Sequence, residues 1–369
     1  MSLEACDVEL MLAELGRFAH GPLAAEVTHP EAPVDGPVLT RLREGAVALG
    51  LLGAAGKVAE FGLWPADDSG SACVFSIRAL QLLGEVNAGI ALAWHRAALA
   101  AHLADGLGLA RRAGETAVVV TGHYGLGRSS LARWLLDRKP EQDDTALLSD
   151  WLDRHARDTF ALAPVDWQWL LWPVWTTHGL VWCRHARGTL TAERQRPQHG
   201  LDELVLWRLR LPEPVSAEPA QETARAMFGR ALKMEVLAAL AIASGAVRGA
   251  CHLALDYAAR RRQGGVPINH YPAVQSQLAI IDSALVQADD ALGALERPLD
   301  AIDLGRLLTV RVRLDASLRE AANAAMQVHG GIGYMRDIGI EKRLREVNML
   351  STIAGGVREI PLFMAEWRS

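Results

Sequence analysis

A glycine-rich stretch after a short apolar run is the first segment whose residues could do chemistry. It reads "AVVVTGHYGLGRSS" over residues 117–130. Gly122 is followed by four residues and then Gly127, and Ser129 stands where the hydroxyl of a phosphate loop meets a magnesium ion. Arg128 replaces the expected lysine, and a guanidinium is a bulky planar fork whereas an ammonium is a compact point charge. Whether this is a nucleotide loop depends on the elements around it.

Three kinds of pattern follow one another along the chain. Up to about Arg112, apolar residues recur at helical spacing, with Gly and Pro at the breaks. Between Ala117 and about Pro219, short β-like runs alternate with turn residues, and most of the eleven tryptophans lie there. From about Gln221, long helical patterns return. We predict a mainly α protein with a middle β domain, divided into residues 1–116, 117–220 and 221–369.

This order of elements disfavours a nucleotide triphosphatase. A phosphate-loop domain needs strands and helices that alternate around a parallel sheet, and an acidic residue at the end of an apolar strand to hold magnesium. The best candidate for that acid, Asp282, lies inside a helical pattern. A turn that joins a strand to a helix is the better interpretation of the glycine-rich stretch on these grounds.

Composition excludes several classes of partner. The 369 residues are half hydrophobic and carry a net charge of -5, without the single-sign field that nucleic acid or an anionic membrane surface requires. The four cysteines lie far apart, so neither a disulfide framework nor a metal site is indicated. Neither a signal peptide nor an uncharged 18-residue apolar run stands out. We expect a cytoplasmic protein that binds neither nucleic acid nor a metal ion and has no membrane span.

The last third of the chain resembles the acyl-CoA dehydrogenase family. The segments "MQVHGGIGYMRDIGIEKRLREVNML" and "STIAGGVREI" are similar to its C-terminal signature, and "LDYAARRRQGG" followed by "YPAVQSQLA" is similar to the motif upstream. The N-terminal helices and the strand end "LRLPEPV" resemble the family more weakly. The resemblance implies an N-terminal helical domain, a β-barrel-like middle domain and a C-terminal four-helix bundle.

The resemblance also implies FAD as cofactor and residues that hold it. Gln327, Gly330 and Gly331 match the turn that receives the adenosine diphosphate part of FAD from a neighbouring subunit, and Arg261 matches an arginine that contacts the same region. Glycine lets backbone approach a pyrophosphate closely, and a guanidinium balances its charge. Alone, these would be a glycine turn and a solvated helix-end cation, but their occurrence together favours the cofactor.

The family places a threonine and a Gly-Ser pair against the flavin and the acyl-CoA where this chain has its glycine-rich stretch. Thr121 matches the flavin contact and Ser129 the substrate contact, although the Glu-Pro of the family motif is missing and a structural turn remains the alternative. Trp175 and Thr176 are the best match to the residues that face the flavin ring, with a register shift of two or three residues left open. Tryptophans at such density otherwise fill cores or interfaces.

Desaturation of an acyl thioester needs a base at the α-carbon and a flavin that accepts hydride from the β-carbon. In most of the family the base is the glutamate of a Glu-Gly-Thr loop, but Ala354 and Gly356 stand here in place of the glutamate and the threonine. Glu359 lies a turn beyond and is a weaker substitute.

A minority of the family, including isovaleryl-CoA dehydrogenase, carries the base on the first long helix of the C-terminal domain. Glu235, ten residues before Gly245, falls on that position. We predict that Glu235 is the base and that desolvation in its apolar helix raises its pKa. The alternative is an exposed first-turn residue stabilised by the helix dipole. The alanines that follow could line a roomy acyl cavity, but close helix packing is favoured.

The expected function is α,β-desaturation of an acyl-CoA thioester by an FAD-dependent, acyl-CoA dehydrogenase-like oxidoreductase. Its partners would be the acyl-CoA substrate and an electron-transferring flavoprotein or a similar acceptor, in a homotetramer, a homodimer or a mixed assembly. Two alternatives stay open: a flavin-dependent monooxygenase of the same fold, and a catalytically inactive, flavin-free subunit that pairs with an active homologue.

Overall fold

The computed structural model describes residues 5–27, 32–59, 61–66, 70–118, 129–136, 138, 159–176, 179–210 and 221–368. Helices dominate, with a small region of sheet in the middle of the chain. The prediction of a mainly α fold with a middle β region is therefore confirmed.

The N-terminal part is a set of packed helices. They are α1 (Ala5–Phe18), which continues as a π-helical turn (Ala19–Leu23) into α2 (Ala24–Val27), then α3 (Gly36–Ala48), α4 (Gly70–Val86) and α5 (Ala88–Gly106). The Asp35 carboxylate accepts the backbone N–H of Val38 at the start of α3, and the Asn87 amide oxygen accepts that of Ile90 at the start of α5. Each cap satisfies a backbone donor that has no partner within its helix.

The middle part consists of two three-stranded sheets. Its strands are β1 (Glu115–Ala117), β2 (Thr159–Ala163), β3 (Trp169–Thr176), β4 (Gly179–Ala186), β5 (Thr191–Arg194) and β6 (Val205–Arg210), with α6 (Ser129–Leu135) between β1 and β2. One sheet has the order β1-β3-β4, with β1 parallel to β3, and the other has the order β2-β6-β5. Trp172, Trp182 and Trp207 are buried, so these tryptophans fill the core.

The C-terminal part is a bundle built on a 40-residue helix. Its elements are α7 (Gln221–Arg260), a hairpin of β7 (Arg262–Gln263) and β8 (Val266–Pro267), α8 (Pro272–Gly293), α9 (Leu304–His329), α10 (Ile340–Leu350) and α11 (Gly356–Arg368). Helix α7 packs against α4, α5, α8, α9 and α10, so it is the central helix of the molecule. The ends of α7 and α9 lie side by side, since the rings of Tyr257 and His329 stack 4.6 Å apart.

Residues 222–260 of α7 are long and apolar enough to cross a membrane by length and composition, but 78% of the apolar window is buried inside the protein. Small residues let α7 and α4 approach closely. A Cβ on Gly245 would lie 1.9 Å from the Gln81 carbonyl oxygen. The alanines that follow Glu235 are buried as well, which supports close packing rather than a roomy cavity.

A buried charge cluster ties the three parts of the chain together. Lys342 on α10 lies 2.7 Å from the Glu203 carboxylate and also pairs with Glu346. Glu203 in turn accepts a hydrogen bond from the Asn87 amide at the start of α5. Arg343 donates to Glu346 and to backbone carbonyls at the end of α4. The cluster fixes α10 against both other parts.

Candidate functional site

Glu235 lies in the interior of α7, fourteen positions after its first residue, and only 2% of its surface is exposed. The alternative of an exposed first-turn residue is therefore wrong. Apolar residues surround it along the helix, because Met234 and Val236 are completely buried too. The long apolar pattern of α7 places a carboxylate where water does not reach it.

Two neighbouring residues of α5 meet this carboxylate. Arg96 donates from Nε to Glu235 Oε1 over 3.3 Å, and His95 Nε2 lies 3.8 Å from the same oxygen. Arg96 also donates from Nη1 to the Leu162 carbonyl on β2, over 2.9 Å. The other carboxylate oxygen, Oε2, is buried without a hydrogen-bond partner among the described residues.

The pKa of Glu235 is lowered, which corrects the prediction that desolvation raises it. Burial alone would raise the pKa, but the charge of Arg96 and the contact with His95 outweigh burial and hold the pKa below its ordinary value. Sequence reasoning took account of the apolar helix and missed the cation on a neighbouring helix. Glu235 is thus ionised at neutral pH.

Arg311 on α9 links Glu235 to the loop in which most of the family carries its base. This guanidinium is fully buried, interacts with the charge of Glu235, and donates from Nη2 to the Leu350 carbonyl over 2.6 Å. Its Nε lies 2.9 Å from Asp315 Oδ2, and its Nη1 has no hydrogen-bond partner within the described part of the chain. Burial raises the pKa of Asp315 to about 6.

The loop after α10 has an unusual backbone. Ala354, Gly355 and Gly356 have φ values of 58°, 89° and 60°. Glycine adopts such angles readily, whereas alanine is strained there. Ala354 is buried and has no group that could accept a proton, in agreement with the expectation that this loop lacks a base.

Glu359, the weaker candidate, lies in the first turn of α11. Burial raises its pKa to about 7. Helix α11 packs against α6 and α9. Glu359 is thus a second buried carboxyl, on a different helix from Glu235.

The structure brings the predicted diphosphate residues to one end of the bundle. Arg261 directly follows α7, and Gln327 lies in the last turn of α9, before the turn of Gly330 and Gly331. All four are exposed. Gly330 has a φ of 61°, and a Cβ on either glycine would project into open space. The exposed guanidinium of Arg261 can balance the charge of the diphosphate of FAD. The backbone at Gly330 and Gly331 is open to close approach of the phosphate oxygens.

The predicted contacts to the flavin ring and the substrate cannot be assigned in the same way. Thr121 lies outside the described residues, and so do the side chains of Trp175, Thr176 and Ser129. The backbone of Trp175 and Thr176 forms the end of β3, and Ser129 begins α6. Their assignments stay predictions.

Sequence reasoning missed the residues that surround Glu235. His95 and Arg96 lie inside the apolar helix α5, Arg311 lies inside the more polar α9, and all three are buried. The signal available was the presence of "HR" in the middle of the apolar segment "IALAWHRAALA". Long polar side chains are seldom buried without a partner.

Three comparisons with known proteins agree. The family model for the acyl-CoA dehydrogenase C-terminal domain matches residues 225–365. The 3-sulfinopropanoyl-CoA desulfinase of Paraburkholderia xenovorans (strain LB400) is 30% identical over 159 residues, 41% of this chain and 40% of the relative. The probable acyl-CoA dehydrogenase YngJ of Bacillus subtilis (strain 168) is 35% identical over 125 residues, 32% of each chain. The chain thus aligns with two fifths or less of the length of these relatives.

Solved structures match the whole length. Butyryl-CoA dehydrogenase from Megasphaera elsdenii superposes with a TM-score of 0.71 at 15% identity, covering 99% of both chains. The prolyl acyl carrier protein oxidase AnaB gives 0.70 at 15% identity, covering 100% of both. At such identity the superposition shows the fold alone. Residues 225–365 thus match the C-terminal domain of the acyl-CoA dehydrogenase family, and the whole chain has the fold of acyl-CoA dehydrogenases.

Proposed function

We propose that this protein is an FAD-dependent oxidoreductase that desaturates an acyl-CoA thioester, with Glu235 as the base. The observation that carries the proposal is the Oε2 atom of Glu235, which is ionised, buried and without a hydrogen-bond partner in the described structure. Leaving such an atom unpaired costs on the order of 1–3 kcal/mol or more. A substrate bound with its α-carbon next to Oε2 would supply the proton that this unpaired oxygen can accept.

The remaining residues of the site have roles that follow from their contacts. FAD, when bound, would accept the hydride from the β-carbon of the substrate. Arg261 and the turn from Gln327 to Gly331 would hold its diphosphate. Arg96 holds Oε1 of Glu235, with His95 Nε2 3.8 Å from the same oxygen, and Oε2 is left to receive the α-proton.

The lowered pKa of Glu235 has two consequences in this scheme. The carboxylate is present in its basic form throughout the neutral range, so no proton has to leave before the reaction. It is also a weak base, because Arg96 stabilises the ionised form.

One specific observation favours a second candidate function. The Glu235–Arg96 pair is complete without a substrate, and Ala354 removes the base of the loop. A cavity of about 100 Å³ is lined in part by Ala93, Ala97 and Ala101 of α5, and Glu235 is not among its lining residues. A flavin-free subunit that pairs with an active homologue would have such a closed interior.

Relatives support a site for acyl thioesters but differ in reaction. Their names include a desulfinase of 3-sulfinopropanoyl-CoA, a probable acyl-CoA dehydrogenase and an acryloyl-CoA reductase. The acyl group and the direction of electron flow are therefore open in our proposal. An electron-transferring flavoprotein or a similar acceptor would reoxidise the enzyme. Exposed Ile332, Tyr334 and Met335 beside the diphosphate residues suit contact with a second subunit.

The visible absorption spectrum of the gently purified protein tests the proposal. It is recorded before and after anaerobic addition of a mixed set of acyl-CoA thioesters. A flavin band that bleaches, together with enoyl-CoA products detected by mass spectrometry, is the expected result. The absence of a flavin band, even after incubation with FAD, would reject the FAD-dependent oxidoreductase and favour the flavin-free subunit.

A further inference from the structure

A buried tryptophan lies behind the histidine that meets Glu235. Trp64 donates from its indole Nε1 to His95 Nδ1 over 2.8 Å, and the two rings stand edge to face with centroids 5.8 Å apart. The exposed fractions are 4% for Trp64 and 0% for His95. This contact lies in a closed interior, where water does not compete for the hydrogen bond.

The chemistry of the two side chains determines which histidine nitrogen carries the proton. An indole N–H only donates, so Nδ1 of His95 must accept and carries no proton. In neutral imidazole the proton then resides on Nε2. Nε2 is the atom that lies 3.8 Å from Glu235 Oε1, and it has no hydrogen-bond partner among the described residues. The protonated nitrogen is therefore the one that lies near the carboxylate, at a distance longer than a hydrogen bond.

The backbone holds Trp64 in a conformation that a tryptophan seldom adopts. Its φ is 50°, in the left-handed region that is strained for a bulky side chain. The Ser76 hydroxyl accepts the Trp64 backbone N–H over 3.0 Å and donates to the Ala72 carbonyl on α4. A strained conformation of this kind persists when the surroundings enforce it, which here they do from α4.

From this geometry we propose that Trp64 is a positioning residue of the site: it fixes His95 in the Nε2–H tautomer and thereby leaves Oε2 of Glu235 as the reacting oxygen. Rotation of the carboxylate would break the Arg96 hydrogen bond to Oε1 and move Oε1 away from the Nε2–H group of His95. The assignment of the His95 tautomer does not depend on the proposed function, whereas the assignment of Oε2 as the reacting oxygen rests on it.

Long-range ¹H–¹⁵N spectra of the histidine side chains test the tautomer in the full-length protein. The His95 signals are identified by their loss in His95→Gln. We expect the Nε2–H tautomer in the wild type and a mixture or the opposite tautomer in Trp64→Phe, which keeps the ring and removes the donor. The control is Trp94→Phe, because Trp94 is a buried tryptophan on the same helix as His95 and lies outside this contact. A proton on Nδ1 in the wild type, or an unchanged tautomer in Trp64→Phe, would overturn the proposal.

The link from Trp64 to Glu235 is tested twice. A denaturant double-mutant cycle of Trp64→Phe with Glu235→Gln needs no activity, and additive effects on the unfolding midpoint would overturn the link. If acyl-CoA bleaches the flavin, Trp64→Phe should slow bleaching about tenfold, as expected for loss of a buried hydrogen bond. The dissociation constant of the acyl-CoA should stay unchanged. Failure of the wild type to bleach would reject the proposed function without touching the tautomer result.

Discussion

Arg96 Nε lies 3.3 Å from Glu235 Oε1, and this pair joins the α5 and α7 helices in the interior of the protein. Removing the cation should destabilise the fold, because a buried carboxylate would be left without its partner. We expect Arg96→Met to lower the free energy of unfolding by about 3–5 kcal/mol at pH 8.

The effect of Arg96→Met should depend on pH, with a defined sign. In the wild type the lowered pKa of Glu235 contributes stability that is present above the ordinary carboxyl pKa and is lost as pH falls through the folded pKa. Without Arg96, burial dominates and raises the pKa, so the variant loses stability as pH rises. Urea unfolding of the wild type and of Arg96→Met at pH 5 and pH 8 measures the two free energies of unfolding, which should differ more at pH 8. An equal difference between wild type and variant at the two pH values would contradict this explanation.

Arg261 and Arg260 form a matched pair of neighbours at the end of α7. Arg260 pairs with Asp256 on the exposed surface of the helix, whereas Arg261 follows the helix, whose last turns contact the end of α9 through Tyr257 and His329. Arg261→Ala should weaken FAD binding about tenfold or more, which is the expected size for a charge-assisted hydrogen bond to phosphate. Arg260→Ala should leave it unchanged. Titration of the apoprotein with FAD measures both, and equal losses in the two variants would remove Arg261 from the cofactor site.

Lys342 neutralises two buried carboxylates, Glu203 and Glu346. Lys342→Met should therefore cost about 3–5 kcal/mol of unfolding free energy, since Glu203 would lose its cation while Glu346 would keep only Arg343. Arg17→Ala is the control, because the Arg17–Glu14 pair is exposed and such pairs contribute about 0–1 kcal/mol. Similar denaturation midpoints for Lys342→Met and the wild type would show that the cluster does not hold the three parts together.

Glu359 has its pKa raised to about 7 by burial. The folded state binds this proton more tightly than the unfolded state, so ionisation of Glu359 costs stability as pH rises from about 4.5 to 7. We expect Glu359→Gln to raise the Tm at pH 8 and to change it little at pH 4.5. Thermal unfolding in buffers at the two pH values checks this, and a lower Tm of the variant at pH 8 would be the contrary result.

Most of the fold could be predicted from the sequence, because its helices are long and their periodicity is strong. The start of α9 at Leu304 follows the Asp303 cap, and the glycines after His329 end the same helix. The short strands were predictable as a region, although the pairing of β1 with β3 brings together residues more than fifty positions apart. No local pattern specifies such a pairing.

The sequence pointed to one residue of the candidate site, Glu235, but not to the residues that contact it in space. Glu235 was predicted as the base from a motif within one helix, and the structure shows that its side chain is buried. Its partners Arg96 and His95 lie about 140 positions earlier, on a helix whose pattern is almost uniformly apolar. Because a pKa depends on charges that are close in space, its direction could not be obtained from the residues next to Glu235 in the sequence.

The rate of flavin bleaching in Glu235→Gln tests the central claim most directly. Glutamine keeps the size of the side chain and an oxygen or nitrogen near Arg96, but it cannot take up the α-proton. Glu359→Gln is the matched control, as it replaces the other candidate carboxyl. In an anaerobic stopped-flow experiment with a substrate that bleaches the wild type, we predict a loss of at least about 100-fold for Glu235→Gln, as is usual for removal of a general base, and a near wild-type rate for Glu359→Gln. Wild-type bleaching by Glu235→Gln would contradict the account and remove Glu235 as the base.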